Sequence, residues 1–310
     1  MQESIKSINM MIKSSEAVGS YASIITRVKI YAAFTKMRLA SLVVFSAVVS
    51  YLYAAPSINL FNLAILSIGG FLITGAANGM NQIIEKDYDK LMTRTADRPI
   101  PSGQMSVSEG FLIVAITGTL GIILLWYFLN PLSGLLGAFA MLLYAGVYTP
   151  LKRITSWSVI VGAIPGAIPP LLGYVAETGK FGLVPGILFI VQFAWQLPHF
   201  WSIAWKLDED YRKGGFKMMP INGVKDRASA IVILVTALLM IPAGLLPYYF
   251  GETTIYSGII ITALALWMVY YAAKLVQTKD DKMALKVMFT SFAYLPLTQL
   301  ALMFDKIFLM

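Results

Sequence analysis

Apolar residues in this chain gather in blocks of about twenty, separated by short polar stretches, without the polar alternation of a soluble helix or strand. Nine blocks are long enough to cross a hydrocarbon layer of about 30 Å. They lie near 39–55, 59–82, 110–129, 132–149, 157–176, 183–205, 228–248, 255–273 and 287–308. The third and fourth are divided only by Asn130-Pro131, a turn signal that predicts a helical hairpin. Ahead of the first block lies a polar stretch with four lysines and two arginines, which is not the layout of a cleavable signal peptide. Residues 21–38 read as an interfacial helix. The pattern therefore predicts an all-α polytopic membrane protein, with an N-terminal segment 1–38 and one nine-helix domain over 39–310.

Composition agrees: of 310 residues 58% are hydrophobic and only 13% charged, and mean hydropathy is +0.72. A soluble domain needs a charged coat of roughly a quarter of its residues. The net charge of +8 would suggest nucleic acid in a soluble chain, so the placement of the charges decides. The N-terminus and the loops near 83–109, 150–156, 206–227 and 274–286 hold 22 of the 24 Lys and Arg. By the positive-inside rule these segments face the cytoplasm of a cell inner membrane, and an odd number of spans puts the C-terminus outside. Topology accounts for the basic charge, and no nucleic-acid partner is needed. With no cysteine and a single histidine, His199, thiolate chemistry and any site needing two imidazoles are excluded.

Thirteen of the 16 acids share the basic side, although acids have little effect on insertion. Burying a carboxylate at a span end costs about 2.5–3.5 kcal/mol even on the lenient insertion scale, so acids there usually have a task. Asn81, Glu85 and Asp89 recur every four residues and drift only about 80° around a helix, so they share one face. Asp87 points elsewhere. Two carboxylates and an amide form an all-oxygen set suited to Mg²⁺, completed by water and phosphate oxygens. Arg94 and Arg98 follow as candidates for holding phosphate oxygens bidentately. The plainer alternative is a solvated helix end whose charges pair at i,i+4. A second acidic stretch, Asp208-Glu209-Asp210-Tyr211, follows the sixth block on the same side, where Asp210 is a candidate metal ligand. Acidic loops, basic side chains and an apolar interior suggest chemistry on a lipid diphosphate, in which a metal assists the leaving group and ring faces shield an allylic cation.

The segment NQIIEKDYDKLMTRTADRP at 81–99 resembles the first aspartate-rich motif of the UbiA superfamily of intramembrane prenyltransferases, in the form of its heme O synthase branch. The likeness extends to TKMR at 35–38, YTPLKR at 148–153, GAIPGAIPPLLGY at 162–174, WQLPHFW at 195–201 and DYRKGGFKMMP at 210–220. The last two are the specific ones for the heme branch. The resemblance implies a nine-helix bundle around a central cavity, in which farnesyl diphosphate is held by Mg²⁺. It further implies transfer of the farnesyl group to a vinyl of heme B, and passage of heme O to heme A synthase or a terminal oxidase.

Carried over by position, the resemblance assigns catalytic roles to Asn81, Glu85, Asp89, Asp210 and Tyr211, and metal ligation to Glu85, Asp89 and Asp210. Lys36, Arg38, Arg94, Arg98, Lys152 and Arg153 become diphosphate contacts. Glu85 stands where aspartate is more usual, and Lys206 stands four before Asp210 where a second aspartate is usual. His199, beside Pro198 and among Trp195, Phe200 and Trp201, reads as a hydrogen-bonded core residue or as a heme contact. Alternatives are a prenyltransferase acting on an aromatic quinone precursor, and a transporter gated by the same charged ends.

Overall fold

The computed structural model describes residues 25–310. Among these are nine helices long and apolar enough to cross a membrane: α1 (Met37–Ala54), α2 (Leu60–Asp89), α3 (Val107–Leu129), α4 (Pro131–Leu151), α5 (Ser158–Thr178), α6 (Leu183–Lys206), α7 (Arg227–Tyr249), α8 (Ile255–Thr278) and α9 (Asp281–Phe308). Six begin at a side-chain cap of the kind that satisfies orphan amides. Asn59, Ser106, Asn130, Asp226, Thr254 and Asp280 each accept a backbone N–H two or three residues on. At the α3–α4 hairpin Asn130 caps, Pro131 occupies the first turn, and the Asn130 amide donates to Val175 O at 2.9 Å.

Each helix packs on its chain neighbour, and α9 returns to α1, closing a ring; α5 also reaches α1, and α6 also reaches α9. Of the nine spans α5 is the most buried and α3 the least. Close approach at α5 depends on glycine: a Cβ on Gly173 would collide with the Ala47 carbonyl, and one on Gly162 would come 2.6 Å from the Tyr148 ring. Pro170 has no N–H to give to the Gly166 carbonyl four residues back, and Gln192 Nε2 on α6 supplies a donor at 2.7 Å. A freed backbone acceptor inside the bundle thus becomes a tie between α5 and α6.

The structure moves three boundaries. The second span does not stop near 82 but continues unbroken to Asp89, because nothing between Leu60 and Asp89 breaks a helix; the acidic motif is the last turns of α2. Helix α9 starts at Asp281, before the expected 287. The helix expected over 21–38 is interrupted: residues 25–34 are helical, residues 35–36 turn, and α1 begins at Met37. Residues 21–24 of that expectation lie outside the described residues.

Candidate active site

At the basic end of the bundle, three connections fold over the end of α2. The Asp210 carboxylate, on the six-residue helix Asp208–Lys213, accepts the backbone N–H groups of Thr93 at 2.9 Å and Arg94 at 3.1 Å. Burial alone would raise its pKa, but these two amides hold Asp210 below the usual carboxylate value. Lys217 N donates to Lys152 O at 2.8 Å and ties the same segment to the α4–α5 connection. The three connections enclose a polar cavity of about 140 Å³. Pockets that swallow a drug-sized ligand are typically about 300–1,000 Å³, so this one matches a charged head group and not a whole prenyl chain.

One wall is the predicted face of α2, where Asn81, Glu85 and Asp89 all line the cavity and are at most 4% exposed. Asn81 is oriented from behind: its Nδ2 donates to Thr149 Oγ1 at 3.2 Å, and its Oδ1 accepts Lys36 Nζ at 3.4 Å. Glu85 pairs with Lys152 at 2.5 Å. Asp89 Oδ2 accepts Arg98 Nη1 at 2.7 Å, while its Oδ1 is buried with no partner. A buried carboxylate oxygen left bare is costly unless a cation or donor completes it. Asn81, Glu85 and Asp89 therefore fit a divalent metal of the Mg²⁺ type, which takes one or two carboxylates and fills its remaining positions with water and phosphate oxygens. Among the described residues no three carboxylates or imidazoles converge, so the protein's own donor set is this one wall.

Four basic side chains, Lys36, Arg94, Arg98 and Lys152, line the cavity against two carboxylates, a positive surplus that invites an anion. Enclosure of the Lys36 amine, joined by repulsion from Arg98 and Lys152 and only partly relieved by Glu85 and Asp89, pushes its pKa down to about 7. At pH 8 the amine is mostly neutral, and an entering diphosphate restores its charge. Diphosphate binding at pH 8 is accordingly expected to take up most of one proton. Titration calorimetry in two buffers of different ionisation enthalpy checks this, and equal heats in both would contradict it. In the unliganded protein the unfolded chain holds the proton up to about 10.5, so this group makes stability rise with pH between about 7 and 10.5.

Of the predicted residues the structure gathers Asn81, Glu85, Asp89, Lys36, Arg94, Arg98, Lys152 and Tyr211 around one cavity. Others fall elsewhere. Asp210, expected to ligate metal, has both oxygens committed to loop amides and does not line the cavity. Arg153 stacks over the Tyr88 ring at 3.7 Å on the outside, and Arg38 is exposed. Asp87 pairs with Lys86 and Lys90 in solvent. His199 sits between α6 and α9, with Nδ1 at 2.7 Å from Ser291 Oγ and its ring stacked on Trp195 at 4.6 Å.

Three aromatic residues that also line the cavity, Tyr144, Tyr148 and Phe216, are not among those expected. The first two stand four apart just before the Lys152-Arg153 pair, which was the available signal. They lie on a π-helical turn, Leu143–Tyr148, a widening often found at functional sites. Two of the rings already receive a cation, with Lys152 Nζ 5.0 Å from the Tyr148 centroid and 5.4 Å from that of Phe216.

Residues 43–294 match the UbiA prenyltransferase family. The chain is 48% identical over 277 residues to the protoheme IX farnesyltransferase of Christiangramia forsetii, covering 88% of this chain and 91% of that one. It is 49% identical over 280 residues to the protein of that name from Flavobacterium psychrophilum, covering 88% and 92%. Among solved structures it resembles a digeranylgeranylglyceryl phosphate synthase, with TM-score 0.73, 21% identity and coverage of 91% and 99%. It also resembles a UbiA homolog from Archaeoglobus fulgidus bound to GPP and Mg²⁺, with TM-score 0.64, 13% identity and coverage of 88% and 99%. Nine membrane-length helices in a closed ring, a carboxylate and cation cavity at their basic end, and relatives matching along nearly nine-tenths of its length make this chain a multi-pass membrane enzyme that belongs to the UbiA prenyltransferase family.

Proposed function

We propose that this protein transfers the farnesyl group of farnesyl diphosphate to a vinyl carbon of heme B, with water completing the hydroxyethylfarnesyl side chain of heme O and diphosphate released. The observation that carries the transfer chemistry is the bare Oδ1 of buried Asp89 in a cavity with surplus positive charge. The heme acceptor is supported by the relatives in Christiangramia forsetii and Flavobacterium psychrophilum, both named for protoheme IX.

Asn81, Glu85 and Asp89 would hold Mg²⁺, which supplies neutralisation of the departing diphosphate. Lys152 and Arg98 now neutralise Glu85 and Asp89; in the loaded site they are free to turn to phosphate oxygens alongside Lys36 and Arg94. As the C1–O bond breaks, its electron pair leaves with the diphosphate, and the Tyr144, Tyr148 and Phe216 rings face the allylic cation and exclude water from it. Asp210 clasps the loop that carries Arg94 and takes no ligand role. His199 lies seven residues inside α6 from Lys206, about 10 Å deeper than the helix end, and is assigned to the heme pocket.

Incubation of the purified chain with heme B, farnesyl diphosphate and Mg²⁺ is expected to yield heme O by mass. His199→Ala is expected to impair heme B placement and leave Mg²⁺-dependent farnesyl diphosphate binding near normal. Prenylation of an aromatic acid with heme B ignored would transfer the proposal to the quinone-precursor branch.

The same reading places the enzyme in the cell inner membrane, with the N-terminus and the acidic ends facing the cytoplasm and the C-terminus outside. The asymmetry of basic residues supports it. Single cysteines at Lys90 and Lys213 are expected to resist an impermeant thiol reagent on intact cells while one at Gly179 reacts, and the reverse labelling would invert the topology.

A further inference from the structure

Helix α2 carries a second polar face that the cavity does not use. Gly75, Asn78, Gly79 and Gln82 recur at i, i+3, i+4 and i+7 and seat residues 33–36. A Cβ on Gly79 would come 2.6 Å from the Phe34 ring, and one on Gly75 3.2 Å from Thr35 Cβ, so the missing side chains make the seat. Beside it two amides donate to the carbonyls at the end of the helical segment 25–34, where Phe34 O and Thr35 O lack a backbone donor. Gln82 Nε2 donates to Phe34 O at 2.8 Å and to Ala33 O at 3.3 Å, and Asn78 Nδ2 donates to Thr35 O at 3.2 Å. The chain then passes through Lys36 at φ 50°, a left-handed conformation that a side chain with a Cβ rarely takes. From there Lys36 Nζ reaches Asn81 on the cavity face.

Two local penalties meet at this junction. One is the backbone of Lys36. The other is Gln82 Oε1, buried without a partner in a side chain that is 0% exposed. A leucine at 82 would fill similar space and remove that bare oxygen but would leave the Phe34 carbonyl without its donor, so the amide serves the turn and not the packing. Violations of local preference that the surrounding structure maintains point to a task at the site they shape. The Lys36 amine lines the cavity from this turn, with its Nζ 3.4 Å from Asn81 Oδ1.

We propose that Asn78 and Gln82 are positioning residues for the prenyl diphosphate, anchoring the 33–36 turn so that Lys36 is presented to the diphosphate from the cavity wall beside Asn81. The inference rests on the prenyl-diphosphate reading above. It adds two residues that never touch the substrate.

The test is a double-mutant cycle on the full chain in detergent, with Mg²⁺-dependent farnesyl diphosphate binding as the readout. Gln82→Leu and Lys36→Met are each expected to weaken binding by roughly 10-fold, and the double variant to match Lys36→Met within about twofold, because the anchor acts through the lysine. Heme B binding by Gln82→Leu should stay at the wild-type value, which a general packing defect would not allow, even though the Phe34 carbonyl loses its donor. Asn78→Ala in the same cycle gives a second reading if Gln82→Leu does not insert. Effects that multiply, or a Gln82→Leu chain that binds like wild type, overturn the inference. A wild-type chain that binds no prenyl diphosphate overturns the functional reading instead, so the two failures are distinguishable.

Discussion

Asp89→Asn is expected to abolish heme O formation, with a loss of at least roughly 100-fold in turnover, while the protein still inserts and folds. The substitution keeps the shape and keeps an oxygen acceptor for Arg98, whose Nη1 now donates to Oδ2 at 2.7 Å. It removes the negative charge that makes Oδ1, buried and without a partner, a ligand for a divalent cation. It also leaves Arg98 uncompensated in a cavity already rich in positive charge. Farnesyl diphosphate binding should then lose its dependence on Mg²⁺ and retain a weaker, metal-independent component from the four cations. Titration with and without the metal separates the two. Near-normal turnover in Asp89→Asn would remove Asp89 from the metal set.

The second large effect concerns Glu85 and Lys152, which are 4% and 8% exposed and pair with each other. Burial lowers the pKa of Lys152, opposed by its Glu85 partner and reinforced by Arg98. Lys152→Met strands the Glu85 carboxylate in a buried site, and breaking a buried pair from one side costs about 3–5 kcal/mol. The variant should unfold at a markedly lower temperature or fail to accumulate in the membrane. Adding Glu85→Gln removes the stranded charge, and replacing a buried pair by neutral groups is often harmless to stability. The double variant should recover the wild-type unfolding temperature yet stay inactive by roughly 100-fold or more, having lost one metal ligand and one phosphate contact. Recovered stability together with recovered activity would make the pair purely structural.

Much of this protein is written locally. The nine spans follow from apolar blocks that no soluble fold accommodates. Asn59, Ser106, Asn130, Asp226, Thr254 and Asp280 cap starts with local side-chain bonds, although the apolar block alone puts the last start at 287 and not 281. The shared face of Asn81, Glu85 and Asp89 follows from helical period alone and holds because α2 runs unbroken to Asp89. Family resemblance supplied the roles of Lys36, Lys152 and Tyr211, and the fold places all three on the cavity.

What tertiary structure decided is which charged groups meet. Arg153 is adjacent to Lys152 in sequence, yet one helical step turns it outward onto Tyr88 while Lys152 turns inward onto Glu85. Asp210 has the acid's chemistry for a metal, but the 208–213 helix turns it onto the Thr93 and Arg94 amides while Tyr211, the next residue, faces the cavity. Tyr144 and Tyr148 share the cavity through the π-helical turn at the end of α4, and there the Tyr148 ring receives Lys152. Lys36 enters the site through a left-handed turn that its own residue type disfavours and that α2 imposes from 43 to 49 residues away in the chain. Periodicity and capping are short-range and legible in a single segment; the partner of a buried charge is set by which distant group the packing brings to bonding distance, and that is a property of the assembled bundle.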